Sequence, residues 1–461
     1  MTPDQYTPEE PISSIATALA PAALGIVRVS GKGCIELVSK VFSRPKALLE
    51  APGNTLVYGW IQNPQKIDEV MLAVYRAPKS FTGEDMVEIF CHGGPAVVTA
   101  IQNLMLKIGF RQANRGEYTF RAFINGKTDL TRAEAVKEII DSHTDVSRSH
   151  AAGRLAGSLF EEIDSIKKLI IDTLAAIEVE IEYPEDEETI ADSFDRADIE
   201  LAARRLSALA DSWRGEKLYQ DGARVVLAGR TNAGKSSLFN AILKEERAIV
   251  SDIEGTTRDW LESWASINGI PVRLFDTAGL RETSDVIEAQ GVEISRSLVH
   301  DADVVLYLVD SQTGLNDEDK EFIENCKEPL IILETKIDKT PVVEPVETTA
   351  LGAGGRLSPV KISSKTGAGL ADLFTQITKI LTAGLSTERT QAGLGSARQK
   401  DAVAAALESV RHALVSADDN YTLDAVVQDL EDALDSLGEV TGDVTPDDVL
   451  GSIFANFCVG K

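Results

Sequence analysis

A chain of 461 residues, 43% of them apolar, is too long for one ordinary core and is expected to fold as two to four domains. It has no apolar run of about 18 residues, which excludes an obvious membrane span, and residues 1–10 lack the basic and apolar regions of a secretory signal, so a cytoplasmic location is expected. A formal net charge of -27 argues against indiscriminate binding to nucleic acid.

In residues 1–127 short apolar runs are broken by Gly and Pro. The runs at 23–29, 55–61, 70–75 and 86–91 are predicted strands and 96–108 a helix, giving an α+β domain. Gly83-Glu84-Asp85 precedes a strand ending in Cys91-His92-Gly93-Gly94-Pro95, and Arg115-Gly116-Glu117-Tyr118-Thr119 is followed by residues 121–127. Glu84, Asp85 and Glu117 could position a ligand, although exposed acid pairs are common. His92 could act chemically, but the plainer reading is a turn residue or a backbone hydrogen bonder. Cys34, Cys91, Cys326 and Cys458 are scattered and form no metal or disulfide pattern.

From Asp129 the texture becomes helical. No proline interrupts 96–183, and Ile163, Ile166, Leu169, Ile170, Thr173 and Leu174 recur at helical spacing. The acidic block 185–188 reads as an exposed turn, and 196–217 as another amphipathic helix. Residues 128–221 carry 11 Lys/Arg against 23 Asp/Glu, and residues 383–461 carry 5 against 14. The negative charge is therefore concentrated in two helical stretches, either solvated or facing a basic partner. The segments 397–416 and 423–437 repeat the helical texture. One helical domain, 128–221 with 383–461, interrupted by an inserted domain at 222–382, is the economical reading.

The inserted domain contains Gly229-Arg230-Thr231-Asn232-Ala233-Gly234-Lys235-Ser236, between the apolar run 225–228 and Ser237-Leu238-Phe239-Asn240. Two glycines four residues apart, followed by Lys-Ser in a strand–loop–helix setting, form a phosphate-cradling loop. Lys235 is the point charge for the outer phosphates and Ser236 the hydroxyl for Mg²⁺. Further strands are predicted at 260–267, 272–276, 304–310 and 330–334, as in an α/β fold with its ligand at the strand C-termini.

Three downstream stretches point to guanine. Asp276-Thr277-Ala278-Gly279 ends a strand, where Asp276 can hold Mg²⁺ through water and Gly279 can offer a backbone N–H to the terminal phosphate. Gly255-Thr256-Thr257-Arg258-Asp259 can bring a threonine to Mg²⁺. Thr335-Lys336-Ile337-Asp338 places a carboxylate for guanine N1 and N2, and Ser363-Ser364-Lys365 can complete the base pocket. The usual base motif begins with Asn, where this chain has Thr335. Leu280 stands where many switch proteins place a water-orienting glutamine. Arg281, Glu282, Asp285 and Glu288 are the nearby candidates for that work, and a partner's arginine finger or a monovalent cation could compensate charge. The amide oxygen of Asn232 suits K⁺, although such a residue can equally tie down a loop.

The whole chain resembles the MnmE (TrmE) family of tRNA modification GTPases. The likeness lies in Gly25-Ile26-Val27-Arg28-Val29-Ser30-Gly31, the 115–127 stretch, the guanine-switch set and the terminal Phe457-Cys458-Val459-Gly460-Lys461. It implies a multidomain α/β protein: a folate-binding-like, dimerising α+β domain at 1–127, a discontinuous helical domain, and an inserted Ras-like P-loop GTPase domain at 222–382. It implies GTP, Mg²⁺ and K⁺, with K⁺ held by Asn232 and the backbone of Ser251, Ile253 and Thr256 as residues 249–255 close over it. GTP would be held by Asn232, Ala233, Gly234, Lys235, Ser236, Ser237, Asp276, Gly279, Thr335, Lys336, Asp338, Ser363, Ser364 and Lys365, and Mg²⁺ by Ser236, Thr257 and Asp276. Glu288 would orient the attacking water.

By the same resemblance, 5,10-methylene-tetrahydrofolate, or its 5-formyl analogue, would meet Arg28, Glu84, Arg121, Lys127 and Lys461, with Cys458 near the modification centre. Partners implied are a second copy, tRNA, and MnmG (GidA), which carries FAD and NADH and joins in a heterotetramer or larger complex. The product would be a carboxymethylaminomethyl or aminomethyl group at C5 of the wobble uridine. A GTP-dependent scaffold in RNA or ribosome assembly is the alternative.

Overall fold

The computed structural model describes residues 10–182, 194–245, 262–276, 297–339, 359–385, 392–418 and 423–460. The chain divides into two compact units: Met1–Lys137 with Phe160–Ala203 and Asp401–Lys461, and Glu138–Leu159 with Arg204–Lys400. Among the described residues no helix is long and apolar enough to cross a membrane.

The first unit is built on a six-stranded sheet of order β3-β4-β5-β2-β1-β6. Its strands are β1 (Ile12–Ile15), β2 (Ala22–Ser30), β3 (Thr55–Gln62), β4 (Lys66–Tyr75), β5 (Met86–Gly93) and β6 (Arg111–Gln112). All neighbours pair antiparallel except β1 and β6. Alternation puts Val27, Val29, Val57, Leu72, Val74, Val87 and Ile89 on one face, in a core shared with Ile35, Val38, Val98, Ile101 and Met105 of the flanking helices. Side chains on the other face remain open, with Leu24, Leu56, Tyr58 and Met71 each more than 40% exposed. The four predicted strands and the helix α3 (Pro95–Ile108) are present. Strands β1 and β6 escaped the sequence reading because they are short and carry Ser13, Ser14, Arg111 and Gln112. Buried Ser13 is satisfied by Gln102, its Oγ lying 2.8 Å from Gln102 Oε1.

The helices of this unit show the spacing that the sequence predicted. Ile163, Ile166, Ile170, Thr173 and Ile177 are buried along Ser158–Glu182, as are Val403, Ala406, Val410 and Ala413 along Ala397–Asp418, and Val426, Leu430, Ala433 and Leu437 along Leu423–Thr441. A last helix, Asp447–Ala455, was not foreseen. Its Leu450 and Phe454, with Phe457, pack on Phe120, Leu130 and Ala133, and the rings of Phe120 and Phe454 meet edge to face at 5.4 Å.

The second unit holds a sheet of order β12-β11-β10-β7-β9-β8, formed by β7 (Ala223–Gly229), β8 (Glu262–Ile267), β9 (Ile270–Asp276), β10 (Val304–Asp310), β11 (Leu330–Thr335) and β12 (Val360–Lys361). Only β8 and β9 pair antiparallel. The parallel strands are apolar on both faces because helices cover both. Leu238, Phe239, Leu373, Phe374 and Ile377 fill one side, and Phe322 and Ile323 the other. Strand β9 starts at Ile270, two residues before its predicted start. Asn268 (φ 50°) and Gly269 (φ 85°) make the tight hairpin turn that β8 and β9 require, an Asn-Gly signal that the strand prediction passed over.

Within this unit the sheet is met from the segment between the helices Leu130–Asp141 and Asp145–Ala156. His143 stacks on Trp264 at 4.0 Å. Arg154, 1% exposed, binds Glu138 at 2.5 Å and Glu216 at 2.7 Å, and donates to the Gly393 carbonyl at 3.3 Å.

Candidate functional site

The nucleotide site forms at the C-terminal ends of β7, β9 and β11, where the chain must leave a parallel sheet and enter loops. Gly229 has φ 132°, and a Cβ there would lie 2.5 Å from the Leu308 carbonyl, so only glycine fits. Asn232 (φ 63°) and Gly234 (φ 101°) bend the loop before the helix α9 (Lys235–Glu245) begins. Lys235 Nζ donates to the carbonyls of Gly229 at 2.7 Å and Arg230 at 2.9 Å. Ser236 Oγ donates to Asp276 Oδ2 at 2.7 Å, so a hydroxyl and a carboxylate meet at one point, a pair of oxygens suited to a hydrated Mg²⁺.

The base-side loops are tied to this cradle. Thr335, 2% exposed, donates its hydroxyl to the Ala233 carbonyl at 2.7 Å and lies 3.2 Å from that of Val309. It links the phosphate loop to the loop that follows β11. Lys336 adopts φ 61° and donates to the Asn232 carbonyl at 2.6 Å and to Asp310 at 2.7 Å. Burial would raise the Asp310 carboxyl, but the Lys336 ammonium holds it below its usual range. Ser363 donates to Asp338 Oδ1 at 2.8 Å, which lowers that carboxyl and keeps it a hydrogen-bond acceptor. Ser364 and Lys365 lie in the turn that follows, closed by the Gly367 N–H on the Ser363 carbonyl at 2.9 Å.

A second cluster lies in the first unit. Arg28 is opposite Glu88 in the β2–β5 register and binds it at 2.7 Å. Its guanidinium lies 5.7 Å from the Phe81 ring and 5.5 Å from that of Tyr118, and donates to the Gly460 carbonyl at 3.0 Å. The C-terminal tail is thereby held beside β2. The Gly116 N–H meets the Cys458 carbonyl at 3.4 Å and Arg115 bridges to Val459, while the Cys458 side chain is exposed.

Glu84 and Arg121 come together at 2.9 Å. Arg121 is fully buried and also binds Glu117 Oε1 at 2.9 Å, while Arg111 spans both Glu117 oxygens, at 2.6 Å to Oε1 and 3.1 Å to Oε2. Burial favours the neutral Glu117 carboxyl, but Arg111 and Arg121 outweigh it and lower its pKa. Lys127 donates to the Pro78 carbonyl at 3.0 Å and lies against Gly83. His92 stands at the end of β5 rather than in a turn. Its backbone N–H and Nδ1 both meet Asp68, at 2.7 and 2.8 Å.

The model of the MnmE helical domain matches residues 130–458, and that of the GTP-binding protein TrmE N-terminus matches residues 11–127. The chain is 52% identical to the tRNA modification GTPase MnmE of Treponema denticola over 469 residues, covering 99% of each. It belongs to the MnmE (TrmE) family. MnmE proteins of Treponema pallidum (strain Nichols) and Carboxydothermus hydrogenoformans are 42% and 40% identical, covering 100% and 98% of this chain and 100% of each relative. As an MnmE-family chain with an assembled phosphate loop, it is a GTP-hydrolysing enzyme of multidomain α/β architecture.

For this MnmE-family chain, Gly279, Leu280, Glu288, Ser251, Ile253, Thr256, Thr257 and Lys461 lie outside the described residues. The sequence reading missed Glu88. A single acidic residue in an apolar strand gives no signal until the register sets it across from Arg28. It also missed Asp310 and Asp319, whose partners come from the loops after β11 and β7.

Proposed function

We propose that this MnmE-family chain is a K⁺-stimulated GTPase whose nucleotide modules pair between two copies. Together with MnmG (GidA), it would form carboxymethylaminomethyl or aminomethyl groups at C5 of the tRNA wobble uridine, using a folate one-carbon unit. The observation that carries the nucleotide part is the tie between Thr335 and the phosphate loop at Ala233, which brings the guanine and phosphate elements into one site. Asn232, at φ 63° on the exposed rim of that loop, supports the K⁺ role, with the backbone of residues 251, 253 and 256 supplying further oxygens. Leu280 stands in the glutamine position, and the family resemblance assigns the orienting of the attacking water to Glu288.

The domain division we propose is 1–127, 128–221 with 383–461, and 222–382. Arg28, together with Glu84, Arg121, Lys127 and Lys461, is proposed for the folate, and Cys458 for the neighbourhood of the modification centre. The tail held by Arg28 supports that placement. The open apolar sheet face at Leu24, Leu56, Tyr58 and Met71 supports pairing of two copies through the N-terminal region. FAD and NADH belong to the partner in this reading.

Equal GTP turnover in K⁺ and Na⁺ at matched ionic strength would remove the cation role. Glu288→Ala should retain GTP binding and lose most of its hydrolysis. Modification of purified tRNA with and without folate, GTP, K⁺ and MnmG tests the whole scheme. Calorimetry showing no folate binding by the intact chain would favour a GTP-dependent scaffold.

A further inference from the structure

Arg230 is the second residue of the phosphate loop, yet its guanidinium does not lie over the cradle. Its Nε is 3.1 Å from Asp319 Oδ2, and Nη2 donates to Thr313 Oγ1 at 3.2 Å and to the Gly314 carbonyl. Asp319, 1% exposed, belongs to the helix α10 (Asp317–Asn325), outside the segments that bind nucleotide. The same carboxylate accepts the Tyr307 hydroxyl at 2.7 Å and the Asn316 N–H at 2.9 Å. Its backbone N–H in turn meets Asn316 Oδ1 at 2.8 Å, completing a capping box. Burial, then the Asp319 carboxylate, raises the Tyr307 hydroxyl well above its ordinary value, keeping it a donor.

A carboxylate this deep holds a fixed position, and a guanidinium bound to it is held with it. The Arg230 carbonyl accepts from Lys235 Nζ at 2.9 Å and from the Ala233 N–H at 3.2 Å. The residue held through its side chain thus shapes, through its backbone, the loop that meets the phosphates.

We propose that Arg230 is a positioning residue for GTP binding and hydrolysis, acting through Asp319. Pulled outward to a buried anchor, it fixes the backbone between Gly229 and Ala233 in the shape that receives phosphate and holds Lys235 ready. It does not supply charge to the transferring phosphoryl group. Loosening it raises the cost of ordering the loop around GTP and GDP alike. The loss therefore appears in binding, with KM rising and GDP leaving faster, while kcat stays nearly constant.

The test uses the full chain with Arg230→Met, Arg230→Lys, Asp319→Asn and the Arg230→Met/Asp319→Asn double variant. Steady-state GTP hydrolysis and release of a fluorescent GDP are measured for each, with far-UV circular dichroism to confirm folding. Arg230→Met is expected to raise KM and the GDP release rate about five- to twentyfold and to change kcat less than threefold. Arg230→Lys, whose ammonium can still pair with Asp319, should recover at least half of that loss on a logarithmic scale. Asp319→Asn should reproduce the Arg230→Met defect, and the double variant should be no worse than either single change.

A fall in kcat for Arg230→Met at constant KM would overturn the proposal, as would wild-type GDP release in a folded Asp319→Asn protein. If Asp319→Asn does not fold, the position-230 variants decide alone, because that side chain is about one-third exposed.

Discussion

Thr335 offers a direct measure of how tightly the loop after β11 and the phosphate loop are coupled. Thr335→Val keeps the side chain's shape and removes its hydroxyl, leaving the buried Ala233 carbonyl without its 2.7 Å donor. An unsatisfied buried acceptor costs about 1–3 kcal/mol. The hydroxyl has one proton for two carbonyls, at 2.7 and 3.2 Å, so a single strong bond is lost. We expect about 1–2 kcal/mol in total, divided between stability and nucleotide affinity, or roughly five- to thirtyfold in the GDP dissociation constant if all of it falls on binding. Calorimetric titration with GDP and thermal melting of the nucleotide-free protein separate the two shares. Thr335→Ser retains the proton and should stay within about threefold of wild type. A Thr335→Val protein unchanged in both measurements, or a Thr335→Ser protein equally impaired, would refute the hydrogen-bond reasoning.

Other expectations are equally specific. Arg154→Met removes the cation buried between Glu138 and Glu216, and should cost about 3–5 kcal/mol in chemical denaturation. Burial alone would raise Glu216, but His150 and Arg154 depress it below its ordinary 4.5. Its contribution is therefore present above pH 4.5 and lost as pH falls through the lower folded value, and Arg154→Met should shrink that acid-side loss. Burial, with Arg273 adding to it, lowers His143 below 6.5 against the pull of Asp141. Stability from this group is full above pH 6.5 and declines as pH falls towards the folded value, and His143→Phe should remove that slope in melting curves followed by Trp fluorescence. Gly116→Ala adds a Cβ 2.5 Å from the Phe454 carbonyl at φ 68°, so it should lower stability by more than about 1 kcal/mol and speed proteolysis of the C-terminal tail.

Much of this molecule was legible in the sequence because its signals are local. The phosphate loop, the apolar strands of the parallel sheet and the helical stripes at 163–177 and 403–437 each declare themselves within a few residues. Strands β1 and β6 did not, because they are short and polar, and Ser13 and Ser14 find their partners 89 and 104 positions away, at Gln102 and Tyr118. The candidate sites divide in the same way. Lys235, Ser236 and Asp276 follow from a motif, whereas Glu88, Asp310 and Asp319 gain their roles only from register and loop crossings. Arg121 shows the opposite limit. Only the family resemblance marks it as a folate candidate, and its burial between Glu84 and Glu117 is set by the fold.

The hydrogen bond from Arg28 to Gly460 joins positions 432 apart in the chain. During synthesis, therefore, this bond forms only after position 460 has been made, so a product truncated before it lacks that closure however well its sheet has folded. Gly460, at φ 96° with a Cβ position 2.7 Å from the Ile15 carbonyl, leaves no room for a side chain at the position that closes on Arg28.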